Sequence, residues 1–268
     1  MNKSSNNILR KDEVKDGILR LTLDDQENKN ALSKTMMEQL KDSLNSASSD
    51  DSVKVIVIAA TGDVFSSGHN LKEITDAREN KDAGEEYFNS LFNLCSSLMQ
   101  LIVNCKKPII AEVNGVATAA GCQLVASCDL AISSDTSTFA TPGVNIGLFC
   151  STPMVALSRN VKKKDAMKML LTGDMIDAKE AKRLSLINDY VPKEQLTESV
   201  NDLAKKIASK SLMTVKIGKE AFYKQSELSL SDAYEYTSKI MTENTLNEDA
   251  KEGISSFLEK RKPTWRDT

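Results

Sequence analysis

The sequence predicts an α/β fold with crossover connections, followed by a helical C-terminal region. Two patterns carry that expectation. Short apolar runs of strand character alternate with segments of helical period through about residue 135. Beyond about residue 153 the segments are amphipathic, rich in Lys and Glu, and carry little buried-strand signal.

Taken in order, residues 16–23 read as a strand with Leu19, Leu21 and Leu23 on one face and Ile18, Arg20 and Thr22 on the other. Ser33 is placed to cap a helix in which Met37, Leu40, Leu44 and Ala47 recur at helical spacing. Val53 to Ala60 is a nearly continuous apolar run, the pattern of a strand buried on both faces. Between Tyr87 and Val103, Leu91, Leu94, Leu98 and Ile102 share one helix face. Pro108 to Val113 and Asp129 to Ser133 are further strands. Segments 163–172, 177–184, 195–210, 212–225, 230–246 and 249–261 read as helices. Leu203, Ile207, Phe222 and Phe257 give that half the apolar residues of an assembly surface. The polar segment Thr75 to Gly84 has no apolar periodicity and is expected to be a mobile loop.

Composition narrows the function. With 268 residues, 40% of them hydrophobic and 27% charged, the chain is an ordinary globular protein of one large or two small domains. A net charge of −3 offers no general attraction to nucleic acid or to an anionic membrane, so neither is expected as a partner. One His and five scattered Cys residues argue against a metal site, which needs clustered ligands. An odd cysteine count in apolar contexts points to reduced thiols. Residues 1–6 lack the apolar core of a signal peptide and the Arg-rich run of a transit peptide, so a cytoplasmic location is expected. No stretch reaches the length of a membrane-spanning helix.

Two loops have the residue types that chemistry needs. Val64 to Glu73 follows the buried strand, and its Ser66-Ser-Gly68 would let backbone N–H groups approach a ligand. Asn114 to Gln123 follows another strand and opens an apolar helical turn. Small residues there would expose unpaired N–H groups at the positive end of a helix, a site for a developing oxyanion. Taken singly, each loop also reads as a tight turn that serves helix–strand packing.

Taken together and in order, these segments resemble the crotonase (enoyl-CoA hydratase/isomerase) superfamily. The run Asn28 to Leu32, Phe65 to Lys72, Ala111 to Gly115, Ala120 to Asp129 and Phe139 to Gly143 carries the likeness, with Leu171 to Ala181 and Glu252 to Trp265. It extends from about residue 16 to the end. The resemblance implies a spiral of ββα units over residues 1–195 and a helical trimerisation region over 196–268, giving a homotrimer or a dimer of trimers. It implies an acyl-CoA thioester as substrate, with coenzyme A part of that substrate and no other cofactor or metal. The backbone N–H groups of His69 and Ala120 would hold the thioester carbonyl and stabilise its enolate. Asn28, Lys29, Ser67, Gly68, Asn70, Leu71, Lys72, Gly121 and Ser151 would line the ligand, with Phe257 and Lys260 approaching the nucleotide from a neighbouring subunit.

The departures from the family pattern matter as much. Hydratases of the family carry two glutamates, and this sequence has Gln123 and Gly143 at those positions. A Gln keeps shape and hydrogen bonds but exchanges no proton near neutral pH. Each positioned acid or base contributes about 10²–10⁴ in rate, so ordinary hydration is expected to be slow. Restoring both as Glu should raise it if the scaffold is otherwise competent, although a side chain at 143 would strain the loop if its φ is positive. The alternative to an enzyme is a non-catalytic acyl-CoA binding or regulatory protein of lipid metabolism. The backbone of His69 is its useful part in this reading, since no carboxylate is assignable to orient the imidazole. Cys122 and Cys150, among apolar neighbours, read as packing thiols of raised pKa, and Asp129 as structural. A serine-protease reading fails on the single His, and Lys162-Lys-Lys164 is too short a cluster for RNA.

Overall fold

The structure, a computed structural model, describes residues 7–267. The reading of residues 1–6 as a non-targeting start therefore lies outside the described residues. In chain order, β1 (Leu9–Lys11) and β2 (Ile18–Leu23) pair antiparallel and α1 (Lys34–Ser49) follows. Ser33 caps α1, its Oγ accepting from the Met36 N–H at 3.2 Å. Next come β3 (Val55–Ala60), β4 (Val64–Ser66), α2 (Leu71–Ala77) and α3 (Glu85–Asn104). Then β5 (Ile109–Val113), β6 (Val116–Thr118), α4 (Ala120–Ser127), β7 (Leu130–Ser134) and β8 (Thr138–Ala140) follow. After a 3₁₀ turn at Pro142–Ile146 come α5 (Pro153–Asn160), α6 (Lys163–Thr172), β9 (Ile176–Asp177), α7 (Ala178–Arg183) and β10 (Asp189–Val191). The chain ends in α8 (Leu196–Ala208), α9 (Leu212–Gln225), α10 (Leu230–Thr245) and α11 (Glu248–Leu258).

Two sheets result. One has the order β1-β2-β3-β5-β7-β10 and is parallel except between β1 and β2; the other has the order β4-β6-β8-β9. Each successive pair, β3–β4, β5–β6 and β7–β8, leaves one strand in either sheet before the chain turns back through helix. That is the expected spiral of ββα units. Its large sheet is covered on both faces, which explains the unbroken apolar run of β3. Val55 and Val57 meet Leu196, Val200 and Ala204 of α8. Ile56 and Ile58 point the other way, into the cluster that α1 and α3 complete.

Arg20 illustrates how a polar residue survives on a covered face. Its guanidinium donates to Glu112 Oε2 at 2.7 Å and to Asn201 Oδ1 at 3.0 Å, while Thr197 Oγ1 donates to Glu112 Oε1 at 2.8 Å. This satisfied network docks α8. A second network docks α9. Lys219 Nζ lies 2.6 Å from Asp129 Oδ2 and also donates to the carbonyls of Ile102 and Lys107, each at 3.1 Å. The Tyr223 hydroxyl donates to the other Asp129 oxygen at 2.9 Å, and the Ile109 N–H donates to Asp129 Oδ2 at 2.7 Å.

One expectation changes. Thr75 to Gly84 does not form a single loop, because Thr75, Asp76 and Ala77 close α2 and only the turns after Ala77 are irregular. Asn70 starts that helix by accepting the Lys72 N–H at 3.0 Å, so a helix of seven residues forms without an apolar stripe.

Both members of the Lys219–Asp129 pair are largely buried, with side-chain exposures of 7% and 14%. Removing one partner of a buried pair costs about 3–5 kcal/mol, because the other charge stays buried. Lys219→Met should therefore lower the urea-unfolding free energy by roughly that amount. A loss under about 1 kcal/mol would show that α9 does not depend on this contact.

Candidate functional site

The two small-residue loops picked out in the sequence come together because β4 and β6 pair in parallel, Val64 beside Val116 and Ser66 beside Ala117. The loops leaving both strands therefore run side by side. Gly68 has a φ of +93°, and a Cβ built on it would lie 2.9 Å from Ala119 Cβ and 3.2 Å from the Ala120 amide nitrogen. Gly121 is tighter still, since a Cβ there would fall 2.3 Å from the Ser66 carbonyl oxygen. Only glycine permits these approaches.

Ala120 is the first residue of α4, where backbone N–H groups have no partner within the helix. His69 follows Gly68 outside any element. Among the described residues, neither the His69 nor the Ala120 amide donates a hydrogen bond. The amides before them are engaged: the Ser67 N–H donates to Lys29 O at 3.1 Å, the Gly68 N–H to Ser66 Oγ at 3.3 Å, and the Ala119 N–H to Ala140 O at 3.0 Å. Ala119 itself holds a φ of 50°, an uncommon value for a residue with a Cβ and one that turns the chain into α4. The arrangement is two free donors on adjoining loops, one of them at the positive end of a helix.

Around them, Asn30 is buried and stitches the preceding loop to β4. Its side-chain amide donates to Thr61 O at 2.9 Å and Val64 O at 2.7 Å, and its Oδ1 accepts from Asp25 N at 2.8 Å. Asn28 is exposed and bound to Asp25. Lys29 adjoins the site through its carbonyl. Leu71 is exposed at the start of α2, next to Lys72. Ser151 lies exposed in the turn before α5 and donates from its amide to Phe149 O at 2.7 Å. Phe257 and Lys260 stand elsewhere on the chain. The helix carrying Phe257 packs on α9 and α10, and that ring is 82% exposed.

At the two positions where the family's hydratases carry glutamate, Gln123 is buried in α4 with its Oε1 3.7 Å from Cys95 Sγ of α3. Gly143 is buried, and its φ is not positive. The obstacle to a side chain there is space: a Cβ would lie 2.6 Å from Leu148 O and 2.9 Å from Cys150 Sγ. The Cys150 sulfur also accepts the Gly143 N–H at 3.3 Å, so the thiol and the 143 backbone close the gap together. All five cysteines are free and buried. Burial pushes the Cys95 and Cys122 thiols up to about 12, and raises Cys128 and Cys150 as well, which suits packing rather than nucleophilic use. No group of His, Cys, Asp and Glu among the described residues has the arrangement of a metal site.

Sequence reasoning missed what surrounds the His69 ring. Nδ1 sits 3.1 Å from the Leu32 carbonyl, and Phe92 of α3 stands edge-on with ring centroids 5.6 Å apart. Burial pushes the imidazole below the usual histidine pKa, while the Leu32 hydrogen bond and the Glu73 carboxylate pull the other way. Glu73 in turn accepts from the Tyr87 hydroxyl at 2.7 Å and the Lys34 N–H at 3.3 Å. Glu73 lies four residues after His69, at the start of α2, the one signal that would have flagged it.

Comparison with known proteins identifies the family. The family model described as Enoyl-CoA hydratase/isomerase matches residues 13–268. A rat protein named enoyl-CoA hydratase domain-containing protein 3, mitochondrial, is 53% identical over 93% of this chain and 82% of its own length. The crystal structure of the human protein of that name superposes with a TM-score of 0.92 at 46% identity, covering 97% of this chain and all of the other. An enoyl-CoA hydratase structure from Mycobacterium smegmatis gives a TM-score of 0.92 at 42% identity, covering 97% and 99%. The names overturn the cytoplasmic expectation: relatives from rat, Xenopus laevis, mouse, human and Danio rerio are all called mitochondrial. Reduced thiols argue for a reducing environment without saying which compartment supplies it. By sequence, fold and the matched length, the chain belongs to the enoyl-CoA hydratase/isomerase family, and is similar within it to enoyl-CoA hydratase domain-containing protein 3.

Proposed function

We propose that the chain binds an acyl-CoA thioester, holds its carbonyl oxygen between the His69 and Ala120 N–H groups, and so favours the thioester enolate. The observation that carries this reading is the pair of unengaged amides on adjoining loops, one at a helix N-terminus. Donors fixed where charge develops need no reorganisation when it does, and one such donor contributes about 10²–10³ in rate. Ser67, Gly68, Gly121 and the stretch Asn70 to Lys72 then line the ligand beside Asn28 and Lys29. Coenzyme A enters as part of the substrate, without a separate cofactor.

Ordinary hydration is disfavoured on this reading. Neither Gln123 nor Gly143 exchanges a proton with water, and position 143 has no room for a carboxylate. That crowding also favours a second reading, a non-catalytic acyl-CoA binding or regulatory protein. The two part on whether the bound thioester undergoes any proton transfer.

Assembly as a homotrimer or a dimer of trimers is part of the proposal. It is supported by the large apolar side chains left exposed on the C-terminal helices, Leu230, Tyr234, Met241, Leu246, Phe257 and Leu258. A second copy would cover them and bring Phe257 and Lys260 to the nucleotide end of the ligand. Following its relatives' names, the chain is placed in mitochondria, and a tagged copy found elsewhere in the cell would count against that.

Calorimetry should find a medium-chain acyl-CoA binding far more tightly than the matching free acid, with light scattering on the same sample giving three or six copies. Equal affinity for acid and ester would remove the assignment of the loops, and a monomer at micromolar concentration would remove the assembly. Crotonyl-CoA hydration by the native protein should be very slow. Gly143→Glu should not rescue it, alone or with Gln123→Glu. Forcing a side chain against the Leu148 carbonyl should instead cost about 1–3 kcal/mol, read as a lowered melting temperature. A double variant that folds as stably as the parent and hydrates rapidly would contradict the steric account.

A further inference from the structure

Among the described residues, three buried side-chain atoms lack a hydrogen-bond partner: Thr22 Oγ1, Thr141 Oγ1 and His69 Nε2. Buried polar atoms are nearly always paired, so each exception calls for a reason. Thr22 lies on β2, away from the loops. The other two flank them. Thr141 follows Ala140, whose carbonyl accepts the Ala119 N–H, and His69 carries one of the two unengaged amides.

The state of the imidazole follows from its one contact. A carbonyl oxygen only accepts, so the neutral ring must place its proton on Nδ1 to meet Leu32 O at 3.1 Å. That tautomer leaves Nε2 as a lone pair with nothing to bind. The groups around the ring are the Leu32 carbonyl before α1, Glu73 of α2 and Phe92 of α3. Glu73 is the charged member, held by Tyr87 and the Lys34 N–H on the side of α1 and α3.

Helix α3 links the His69 ring to the first of the missing glutamate positions. Phe92 touches the His69 ring and Cys95 touches the Gln123 side chain. Phe92 and Cys95 are three residues apart on one helix, about 4.5 Å along its axis. The His69 ring and the Gln123 amide therefore both border α3, at residues about one turn apart on that helix. The imidazole thus packs on the same helix as does Gln123, the position at which a hydratase of this family carries its first carboxylate.

We propose that His69 Nε2 is the proton acceptor of this site, acting at the α-carbon of the bound thioester. The inference rests on the reading of the two amides as the carbonyl's binding site. In the step, the Cα–H bond breaks and its proton goes to Nε2. The electron pair moves through the C–C bond to the thioester oxygen held by the His69 and Ala120 amides. Return of a proton from Nε2 to carbon restores the neutral ring. Phe92, which packs edge-on against the imidazole, is itself 40% exposed, so the ring lies near the surface of α3.

The test is exchange of the α-hydrogens of butyryl-CoA in deuterated water, followed by proton NMR at saturating ligand. The native protein should exchange them well above the solvent rate. His69→Asn keeps the backbone N–H and a side-chain donor for Leu32 but has no base, and should lose about 10²–10⁴ of that rate. Because burial lowers the imidazole's pKa, the native rate should hold down through about pH 6.5 and fall only below it, as the ring takes up its own proton. Exchange by His69→Asn as fast as the parent overturns the inference, and so does a native protein that binds butyryl-CoA in calorimetry without exchanging it. A native protein that does not bind butyryl-CoA fails at the earlier step and overturns the thioester reading instead. If His69→Asn does not fold, His69→Gln repeats the comparison with the amide one bond further out.

Discussion

The parallel pairing of β4 with β6 is the contact on which the rest of the site depends. It brings two loops from different turns of the spiral into register, and glycine at 68 and 121 lets their backbones close to a separation that no side chain would tolerate. The His69 and Ala120 amides are left unengaged, while the amides just before them are tied up. Around this point the large sheet is clamped on one face by α8 through Arg20 and Glu112, and α9 is fastened to Asp129 just beyond α4. These buried polar contacts fasten α8 and α9 to the large sheet and to the turn that follows α4.

Against that background stand Gln123 and Gly143, at the two positions where hydratases of the family carry glutamate. Gln123 retains the outline of a carboxylate without its chemistry, whereas the change at 143 goes deeper. There the Cys150 sulfur and the Leu148 carbonyl occupy the volume a side chain would need. Two adjoining loops with unengaged amides are thus kept, while the chain around 143 leaves no room for a glutamate side chain. On our proposal the proton acceptor is instead His69, whose ring is buried, hydrogen-bonded at Nδ1 to the Leu32 carbonyl and influenced by the Glu73 carboxylate.

Much of the large sheet was legible in the sequence because its strands are long enough for a pattern to register. The alternation of Leu19, Leu21 and Leu23 and the run from Val55 to Ala60 left little choice. The second sheet was not legible. Its strands are three residues or fewer, too short for periodicity, and their partners lie far away in sequence. The same gap hid the site's third dimension. Composition and motif order could mark Gly68, His69 and Ala120, but Phe92, Glu73 and Cys95 meet the site only through the packing of α2 and α3. The room at Gly143 is likewise a property of a loop folded back on itself, visible only once Leu148 and Cys150 are in place. The location inferred from the N-terminal residues was wrong, since relatives carry mitochondrial names.

Carbonyl polarisation tests the central claim most directly. Isotope-edited infrared spectroscopy of an acyl-CoA labelled with ¹³C at the thioester carbon reads that bond alone, in the protein and free in water. Two amides aimed at the oxygen should shift the carbonyl stretch to lower frequency on binding. Replacing Gly68 by Val, which wedges the loops apart, should abolish the shift in protein that remains folded. A bound thioester whose carbonyl stretch stays at its aqueous position would contradict the account.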